Sequence, residues 1–235
     1  MVKYLLEPQY LSFDLELSPE KGRLSRYLKT GNREALESYI EEGLKLGNRL
    51  ADARATYSIT ENSQDLIENY GFPEPLHEAE SLVFGISTIG EALEKKVDTL
   101  MEEGNYTLSN ILDSIGSAAV DETTDHLGEE VMNYARENEL NTTRAFQPGS
   151  GASHWKVKNH KVIFEQLHPE KLGVNLTSSF TIIPKKSTSF VIGLAGDIVQ
   201  VEDLFSCVGC ERTDCPYRHT PEKTSAGGQG RGVTK

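Results

Sequence analysis

The segments Phe180-Thr181-Ile182-Ile183 and Phe190-Val191-Ile192, joined through Pro184-Lys185-Lys186-Ser187, decide the fold class of this chain of 235 residues. Both outer segments are rich in β-branched and aromatic residues, and a short polar connection separates them, which is typical of a β-hairpin. Hairpin strands are antiparallel, whereas parallel strands need a long crossover connection. We therefore predict an α+β fold with a twisted, largely antiparallel sheet and packed helices, and not a doubly wound parallel sheet.

Two further strands are predicted upstream of this hairpin. Ala55, Tyr57 and Ile59 alternate with polar residues, which predicts a half-buried strand. The apolar run Leu82-Val83-Phe84-Gly85-Ile86 predicts a short strand that is buried in the core. Because these strands alternate with helical segments, the pattern is that of a mixed α+β domain.

Apolar residues at helical spacing predict helices on both sides of the Leu82–Ile86 run. The first helix begins near Asn32 and carries a stripe formed by Leu36, Ile40 and Leu44. Thr88-Ile89-Gly90-Glu91 has the spacing of a capping box, which predicts the start of the second helix. Gly104 and Asn105 end that helix, because both residues tolerate the left-handed conformation.

The longest helical pattern runs from about Leu108 to Glu137. Small residues around Gly116 indicate either that another element packs there at close range or that the helix kinks. A shorter helix is predicted from Trp155 to Leu167. Pro169 then opens a further helical turn, which Gly173 ends.

Composition narrows the classes of function. The formal net charge of −12 disfavours binding to nucleic acid or to an anionic membrane, since both rely on Lys and Arg. No run of about 18 apolar residues is present, and Met1 to Pro8 lacks the apolar core of a signal peptide. We therefore expect a cytoplasmic protein. No glycine-rich loop of the dinucleotide-binding or Walker type is present.

Three cysteines lie close together near the end of the chain, at Cys207, Cys210 and Cys215, with His219 just beyond. Cys-x-x-Cys lets two thiolates reach one metal ion, and the third Cys and the His complete a set of four ligands for structural zinc. Three Cys can instead hold an iron–sulfur cluster that has a different fourth ligand. The remaining alternative is a group of reduced thiols.

The loop Arg144-Ala145-Phe146-Gln147-Pro148-Gly149-Ser150-Gly151 is the strongest candidate for a binding site. A guanidinium offers a planar fork of donors that matches a carboxylate, and it stays charged at any working pH. Glycine lets the backbone approach a ligand closely. The loop therefore suits a small zwitterionic ligand with a carboxylate at one end, although an ordinary surface turn has the same local pattern.

Three motifs occur in the order of a known family. Asp125-His126-Leu127-Gly128-Glu129 is similar to a helix with the pattern Asp-x-Leu-x-Glu, and Arg144 to Gly151 resembles a loop with the pattern Arg-x-x-Pro-Gly. Residues 173–187 resemble a segment with the pattern Gly-x-x-Leu-Thr-x-Ser-Phe. Together they resemble the activation domain of cobalamin-dependent methionine synthase, which binds S-adenosylmethionine. The resemblance is strongest over residues 85–195.

The resemblance implies roles for particular residues. Arg144 would hold the methionine carboxylate of S-adenosylmethionine, and Glu129 its α-amino group. The backbone from Ala145 to Gly149 would contact the nucleoside, with Pro148 and Gly149 shaping the turn. The family also has a Tyr after its last sheet strand, where this chain has Gly193-Leu194-Ala195-Gly196. For the family's acidic ligand from an N-terminal strand, Asp14 is the candidate.

The resemblance also implies a partner and a domain plan. The domain would occupy residues 1–200, followed by a Cys-rich segment at 201–220. Residues 221–235 have no aromatic side chains and much Gly, Ser and Lys, a composition that predicts a disordered tail. Like stand-alone proteins that carry this domain, the chain would dock over a corrinoid. The corrinoid would belong to a methionine synthase that lacks its own activation domain, and the process would be methionine biosynthesis. There the cobalt is reduced by one electron, often from flavodoxin, and S-adenosylmethionine remethylates it. The alternatives are a non-catalytic module that caps a corrinoid protein and a redox protein that works through its Cys cluster.

Overall fold

The computed structural model describes residues 3–18, 27, 34–150 and 155–205. Its strands are β1 (Tyr4–Ser12), β2 (Arg54–Glu61), β3 (Ser81–Thr88), β4 (Asn141–Thr142), β5 (Asn175–Leu176), β6 (Ile182–Ile183) and β7 (Ser187–Ala195). Its helices are α1 (Glu37–Leu50), α2 (Gln64–Tyr70), α3 (Ala92–Glu102), α4 (Tyr106–Glu137) and α5 (His160–Leu167). Among the residues so described, no helix is long and apolar enough to cross a membrane.

A five-stranded antiparallel sheet in the order β1-β2-β3-β7-β4 forms the centre of the fold. Strands β2 and β3 pair over their whole length, from Arg54 opposite Thr88 to Glu61 opposite Ser81. The predicted α+β class with a largely antiparallel sheet is therefore confirmed. Strands β5 and β6 form a separate two-stranded ladder.

Helices cover both faces of this sheet, which decides how its strands are buried. On one face, Ala55 and Ile59 of β2 pack with Leu127 and Val131 of α4. On the other face, side chains of β3 pack with Val162, Ile163 and Leu167 of α5. The prediction that β2 is half-buried was wrong, because its hydroxyl side chains are also fully buried: Thr56, Ser58 and Thr60. The polar and the apolar residues of β2 lie on opposite faces of the sheet, and both faces are covered, so the alternation does not mark a solvent-exposed face.

Beyond the end of the sheet, α1 and α3 pack around residues 106–120 of α4, and we call this group the helix cluster. Two glycines of α1 let it approach α4 closely: a Cβ added at Gly43 would lie 2.8 Å from Ile115 Cδ1, and one at Gly47 would lie 2.6 Å from Ile115 Cγ2. A Cβ at Gly116 would lie 2.7 Å from Leu93 Cδ2. Close packing therefore explains the small residues of α4, which remains one continuous helix through Gly116.

Two local predictions were wrong. Thr88 is the last residue of β3, and its Oγ1 accepts a hydrogen bond from the N–H of Gly90 (3.1 Å), so it does not cap α3. The predicted hairpin does not form either, because β6 pairs with β5 whereas β7 pairs with β3 and β4.

The connection between β6 and β7 is instead tied to helices. The N–H of Lys185 donates to Glu94 Oε2 on α3 (2.7 Å), and Lys186 Nζ pairs with Asp113 Oδ1 (2.8 Å) and donates to Ser117 Oγ (2.8 Å) on α4. These contacts hold the connection over the helix cluster. Strands β6 and β7, on either side of this connection, therefore belong to different sheets. Both predicted segments do contain extended residues.

Candidate functional site

A cavity of about 620 Å³ lies at the β4 edge of the sheet, and Arg144 lines it. Phe146 and Pro75 form apolar parts of its wall, and Glu78 adds a carboxylate. The opposite wall is residues 198–203, which belong to a segment that follows β7. We call residues 198–205 the edge segment. The cavity is the size of a typical small-molecule site.

A β-bulge places Arg144 at this edge. The N–H of Thr143 donates to Gly193 O (2.9 Å) and that of Phe146 to Val191 O (2.9 Å), so Arg144 and its neighbour Ala145 face a single residue of β7. Such a bulge re-aims side chains at the rim of a sheet. The guanidinium lies over the ring of Phe146, 4.7 Å from its centroid, which is a cation–π contact.

The edge segment is fixed against β4 by polar and apolar contacts. Gln200 Oε1 accepts from the N–H of Thr142 (3.0 Å), and Gln200 Nε2 donates to Thr142 Oγ1 (2.9 Å). Leu204 is buried, and the ring of Phe205 meets that of Phe190 edge-on at 5.1 Å. The cavity therefore has an ordered outer wall.

The backbone from Ala145 to Gly149, predicted to contact a nucleoside, already has partners for several donors. The N–H of Ala145 donates to Leu204 O (2.8 Å), and that of Gly149 donates to Trp155 O (2.7 Å). Gly149 has a φ of +76°, which favours glycine, and Pro148 is buried. Only Ala145 donates to the edge segment, so its N–H is the one that movement of this segment would release.

Glu129 does not line the cavity. Its side chain is 74% exposed on α4, and its Oε2 lies 3.5 Å from Nδ1 of His126, whose ring stacks on Phe13 at 5.4 Å. The preceding residue, Gly128, is covered by the edge segment, since a Cβ there would lie 2.9 Å from a ring carbon of Phe205. The edge segment thus contacts Gly128 and Ala145, the chain neighbours of Glu129 and Arg144. Arg144 and Glu129, which were predicted to bind the two charged ends of the ligand, do not line the same cavity.

Three acidic residues that the sequence analysis missed line the cavity together with Arg144: Glu78, Glu202 and Asp203. Glu78 lies far from Arg144 in the sequence, and the other two follow β7 in a stretch without a recognisable motif. The position of β4 beside β7 brings Glu202 and Asp203 close to Arg144. Among the described residues, the cavity lining therefore combines Arg144 with three acidic residues and apolar walls.

Three segments near the cavity, residues 62–80, 141–150 and 155–180, consist of loops and the short elements α2, α5, β4 and β5, and are here called the loop layer. Trp155 Nε1 and Asn159 Nδ2 both donate to Tyr70 O, at 2.9 and 2.7 Å. The Tyr70 hydroxyl donates to Glu165 Oε2 (2.7 Å), which together with burial raises the pKa of Tyr70 to about 12. His160 Nδ1 bonds to Phe180 O (2.9 Å), and burial lowers the pKa of His160 despite this carbonyl. Side-chain bonds to backbone thus position the turn that carries Gly149.

The predicted metal ligands Cys207, Cys210 and Cys215 lie outside the described residues, as do His219, Gly151 and the predicted disordered tail. Within residues 3–18, 27, 34–150 and 155–205, no group of three or more His, Cys, Asp or Glu side chains is arranged to hold a metal ion. The zinc or iron–sulfur site therefore stays a prediction.

Two departures from the family pattern have structural consequences. Three residues separate Arg144 from Pro148, one more than in the pattern Arg-x-x-Pro-Gly. The bulge at Arg144 and Ala145 accommodates one extra residue in this part of the chain. Leu194 and Ala195 at the end of β7 are fully buried, whereas a Cβ at the exposed Gly196 that follows would have only Glu80 Oε1 nearby, at 3.9 Å. Asp14, the candidate N-terminal acid, is exposed just after β1.

The fold is similar to that of a solved structure described as the MetH reactivation domain bound to AdoHcy, with a TM-score of 0.59. The two chains share 14% sequence identity, and the match covers 85% of this chain and 82% of the other. No protein-family model matches this chain, and no curated protein matches it. Likeness at this identity establishes a shared α+β fold.

Proposed function

We propose that this protein binds S-adenosylmethionine in the Arg144 cavity and serves the reductive reactivation of a corrinoid methyltransferase. The fold it shares with a reactivation domain that binds AdoHcy supports this proposal. The observation that carries it is the position of Arg144, which lines a cavity of about 620 Å³ at the sheet edge. A site of this size holds a nucleoside carrying an amino-acid chain.

The chemistry of the cavity matches the parts of this ligand. The Arg144 guanidinium would bind the methionine carboxylate through two parallel hydrogen bonds, which are stronger than neutral ones. Pro75 and the aliphatic side chains of the edge segment offer apolar surface to the adenosine. The α-amino group needs a carboxylate: the family pattern assigns Glu129 to it, whereas the cavity itself offers Glu202 and Asp203.

The protein would contribute position rather than acid–base chemistry. The sulfonium of the ligand and the cobalt of the partner supply the reactivity, and the protein holds the methyl carbon in the right place for transfer. The partner would be a corrinoid-binding methyltransferase, most specifically a methionine synthase without its own activation domain. A reductant such as flavodoxin would deliver the electron.

A second candidate is a module that caps the corrinoid protein without binding S-adenosylmethionine. The backbone donors of Ala145, Phe146 and Gly149 favour this alternative, because all three are already bonded within the protein. The two functions differ in one measurable property, which is binding of the small molecule by the isolated chain.

Calorimetric titration with S-adenosylmethionine tests the proposal. Arg144→Ala should weaken binding by roughly ten- to a hundredfold, because a charge-assisted contact of about 1.5–3 kcal/mol is lost. Arg136→Ala is the matched control, since Arg136 lies on the exposed end of α4 and bonds to Asn133. Glu129→Gln run alongside shows whether the family's assignment of the amino group holds.

Equal binding by the wild type and Arg144→Ala would place the ligand elsewhere. No binding to any variant would favour the capping module. For the predicted Cys cluster, absorption spectra and metal analysis of protein purified without oxygen decide between a metal site and free thiols, and Cys-to-Ser variants that lose reactivation but keep ligand binding would favour a redox role.

A further inference from the structure

We propose that Leu204 and Phe205, the last two residues of the edge segment, form an autoinhibitory strap. The strap occupies the place of the adenosyl group and must leave before S-adenosylmethionine binds between Arg144 and Glu129. This inference rests on the proposed function and adds to it a competition between the ligand and a part of the chain itself.

The strap bridges the chain neighbours of the two residues that were predicted to bind the ends of the ligand. On one side, the N–H of Ala145, next to Arg144, donates to Leu204 O (2.8 Å). On the other side, a Cβ added at Gly128, next to Glu129, would lie 2.9 Å from a ring carbon of the strap. A ligand held at its two ends by Arg144 and Glu129 would have to span the same gap.

The strap also uses the groups that a nucleoside would use. The backbone at Ala145 was predicted to contact the nucleoside, and the carbonyl of Leu204 already accepts its N–H. The ring of Phe205 packs on the smooth surface at Gly128 and meets the ring of Phe190 edge-on at 5.1 Å. Adenine is a flat aromatic ring that makes contacts of the same kind. The strap and the adenosyl group would therefore exclude each other.

The strap can leave without unfolding the sheet. The edge segment that carries it is ordered, but Val199 near its start is 88% exposed and adds little packing. The N–H of Val201 lies 3.4 Å from Thr142 O, which is long for a hydrogen bond. Segments that bury little apolar surface open locally at a low cost in free energy. Opening here would release the N–H of Ala145 to a ligand.

Hydrogen exchange of the wild-type full chain, with and without S-adenosylmethionine, gives the first test. Mass spectrometry of peptides that cover residues 198–205 reports on the edge segment, in which the N–H of Val201 bonds to Thr142 O. Release of the strap should make these amides exchange faster when the ligand is bound. Amides of β2, which is paired on both sides, serve as the control. Slower exchange of the edge segment with ligand would overturn the inference, because it would show a fixed wall that closes on the ligand.

Substitutions in the strap give an independent test. Leu204→Ala and Phe205→Ala remove apolar contacts that keep the strap in place, so a larger fraction of the protein is open to the ligand. The apparent Kd for S-adenosylmethionine should therefore fall, by about tenfold in the double variant. Leu100→Ala is the matched control, because Leu100 and Leu204 are both 4% exposed but Leu100 belongs to the helix cluster. Thermal unfolding shows that each variant keeps its fold.

Isothermal titration separates this inference from the proposed function. Tighter binding by the strap variants, with the affinity of Leu100→Ala unchanged, supports the strap, and so does binding by the double variant alone. Unchanged or weaker binding by the strap variants would overturn the strap and leave the proposed function standing. Binding by neither the wild type nor the double variant would overturn the proposed function, and this inference with it.

Discussion

The helix cluster and the loop layer both contain buried apolar residues, but they differ in the contacts that add to this packing. In the helix cluster, glycines of α1 and α4 bring apolar side chains such as Ile115 and Leu93 within van der Waals contact of backbone. In the loop layer, side-chain donors bind backbone carbonyls, as Asn62 does at Leu76 and Ala79 and as Trp155 does at Tyr70.

A substitution that changes side-chain volume should therefore affect the helix cluster most, and one that removes a polar group should affect the loop layer most. Apolar close packing is sensitive to every added or removed methylene group. Bonds from a side chain to a loop carbonyl each contribute little, but they determine where the loop lies. The candidate cavity lies beside the second region, where buried side chains such as Phe72, Phe146 and Trp155 form a core beneath these polar bonds.

The largest effect is expected where the helix cluster is densest. Ile115→Ala should lower the free energy of unfolding by about 2–5 kcal/mol, because Ile115 is fully buried and its removal leaves a cavity. Urea denaturation followed by circular dichroism measures this. Ligand affinity should stay unchanged at temperatures where the variant is folded.

A double-mutant cycle with Gly47→Ala sharpens this test. Gly47→Ala alone should destabilise the protein by about 1–3 kcal/mol, because the new Cβ meets Ile115 Cγ2 at 2.6 Å. In the Ile115→Ala background the same change should cost less or become neutral, since the contact with Cγ2 is gone and Ala favours a helix over Gly, while Leu17 Cδ1 remains 3.3 Å from the new Cβ. Simple additivity of the two effects would contradict the close packing described here.

An intermediate effect is expected at the border between the helix cluster and the sheet. Lys186→Met should lower the free energy of unfolding by about 1–2 kcal/mol, because the ammonium is mostly buried where it meets Asp113 and Ser117. Met keeps the aliphatic stem that packs beside Gly116. Lys185→Met removes an exposed charge from the neighbouring residue and should change stability little. Equal losses in both variants would contradict a specific role for Lys186.

The smallest effect is expected in the loop layer and depends on pH. Because burial lowers the pKa of His160, the folded protein favours the neutral imidazole, and the stability this gives is present above pH 6.5 and is lost as the pH falls below it. His160→Asn keeps a donor for Phe180 O without the titration, so its melting temperature should fall less between pH 7.5 and pH 5.5. His168→Asn, on the surface, should follow the wild type. An unchanged pH dependence in His160→Asn would contradict this assignment.

Local pattern predicted the elements that are long or fully buried. The stripe from Leu108 to Ala135 predicted α4, and the apolar run at Leu82–Ile86 predicted β3, because burial selects these patterns directly. The antiparallel class was confirmed even though the hairpin behind it was wrong. Strand β7 is antiparallel to β3 and not to β6, since Lys185 and Lys186 bind helices that lie about 70–90 residues away in the sequence.

The candidate site was harder to predict than the fold. Arg144 was chosen from its own loop, and the structure places it at a cavity. The outer wall of that cavity could not be predicted, because it depends on β7 lying beside β4 and on Gln200 reaching Thr142. Glu129 was chosen from a motif on α4, and the motif contains no information on where the edge segment runs. The pairing of Arg144 with Glu129 remains a prediction for experiment.

The edge segment also bears on how this protein meets other proteins. A sheet edge with free backbone groups invites strands of other chains to add to it. At one edge, Gln200 and Val201 form hydrogen bonds with the backbone N–H and C=O of Thr142. At the other edge, β1 contains Pro8, and its pairing with β2 shifts register twice. Neither edge of this sheet therefore presents a long regular template, which discourages growth of the sheet between copies of the chain.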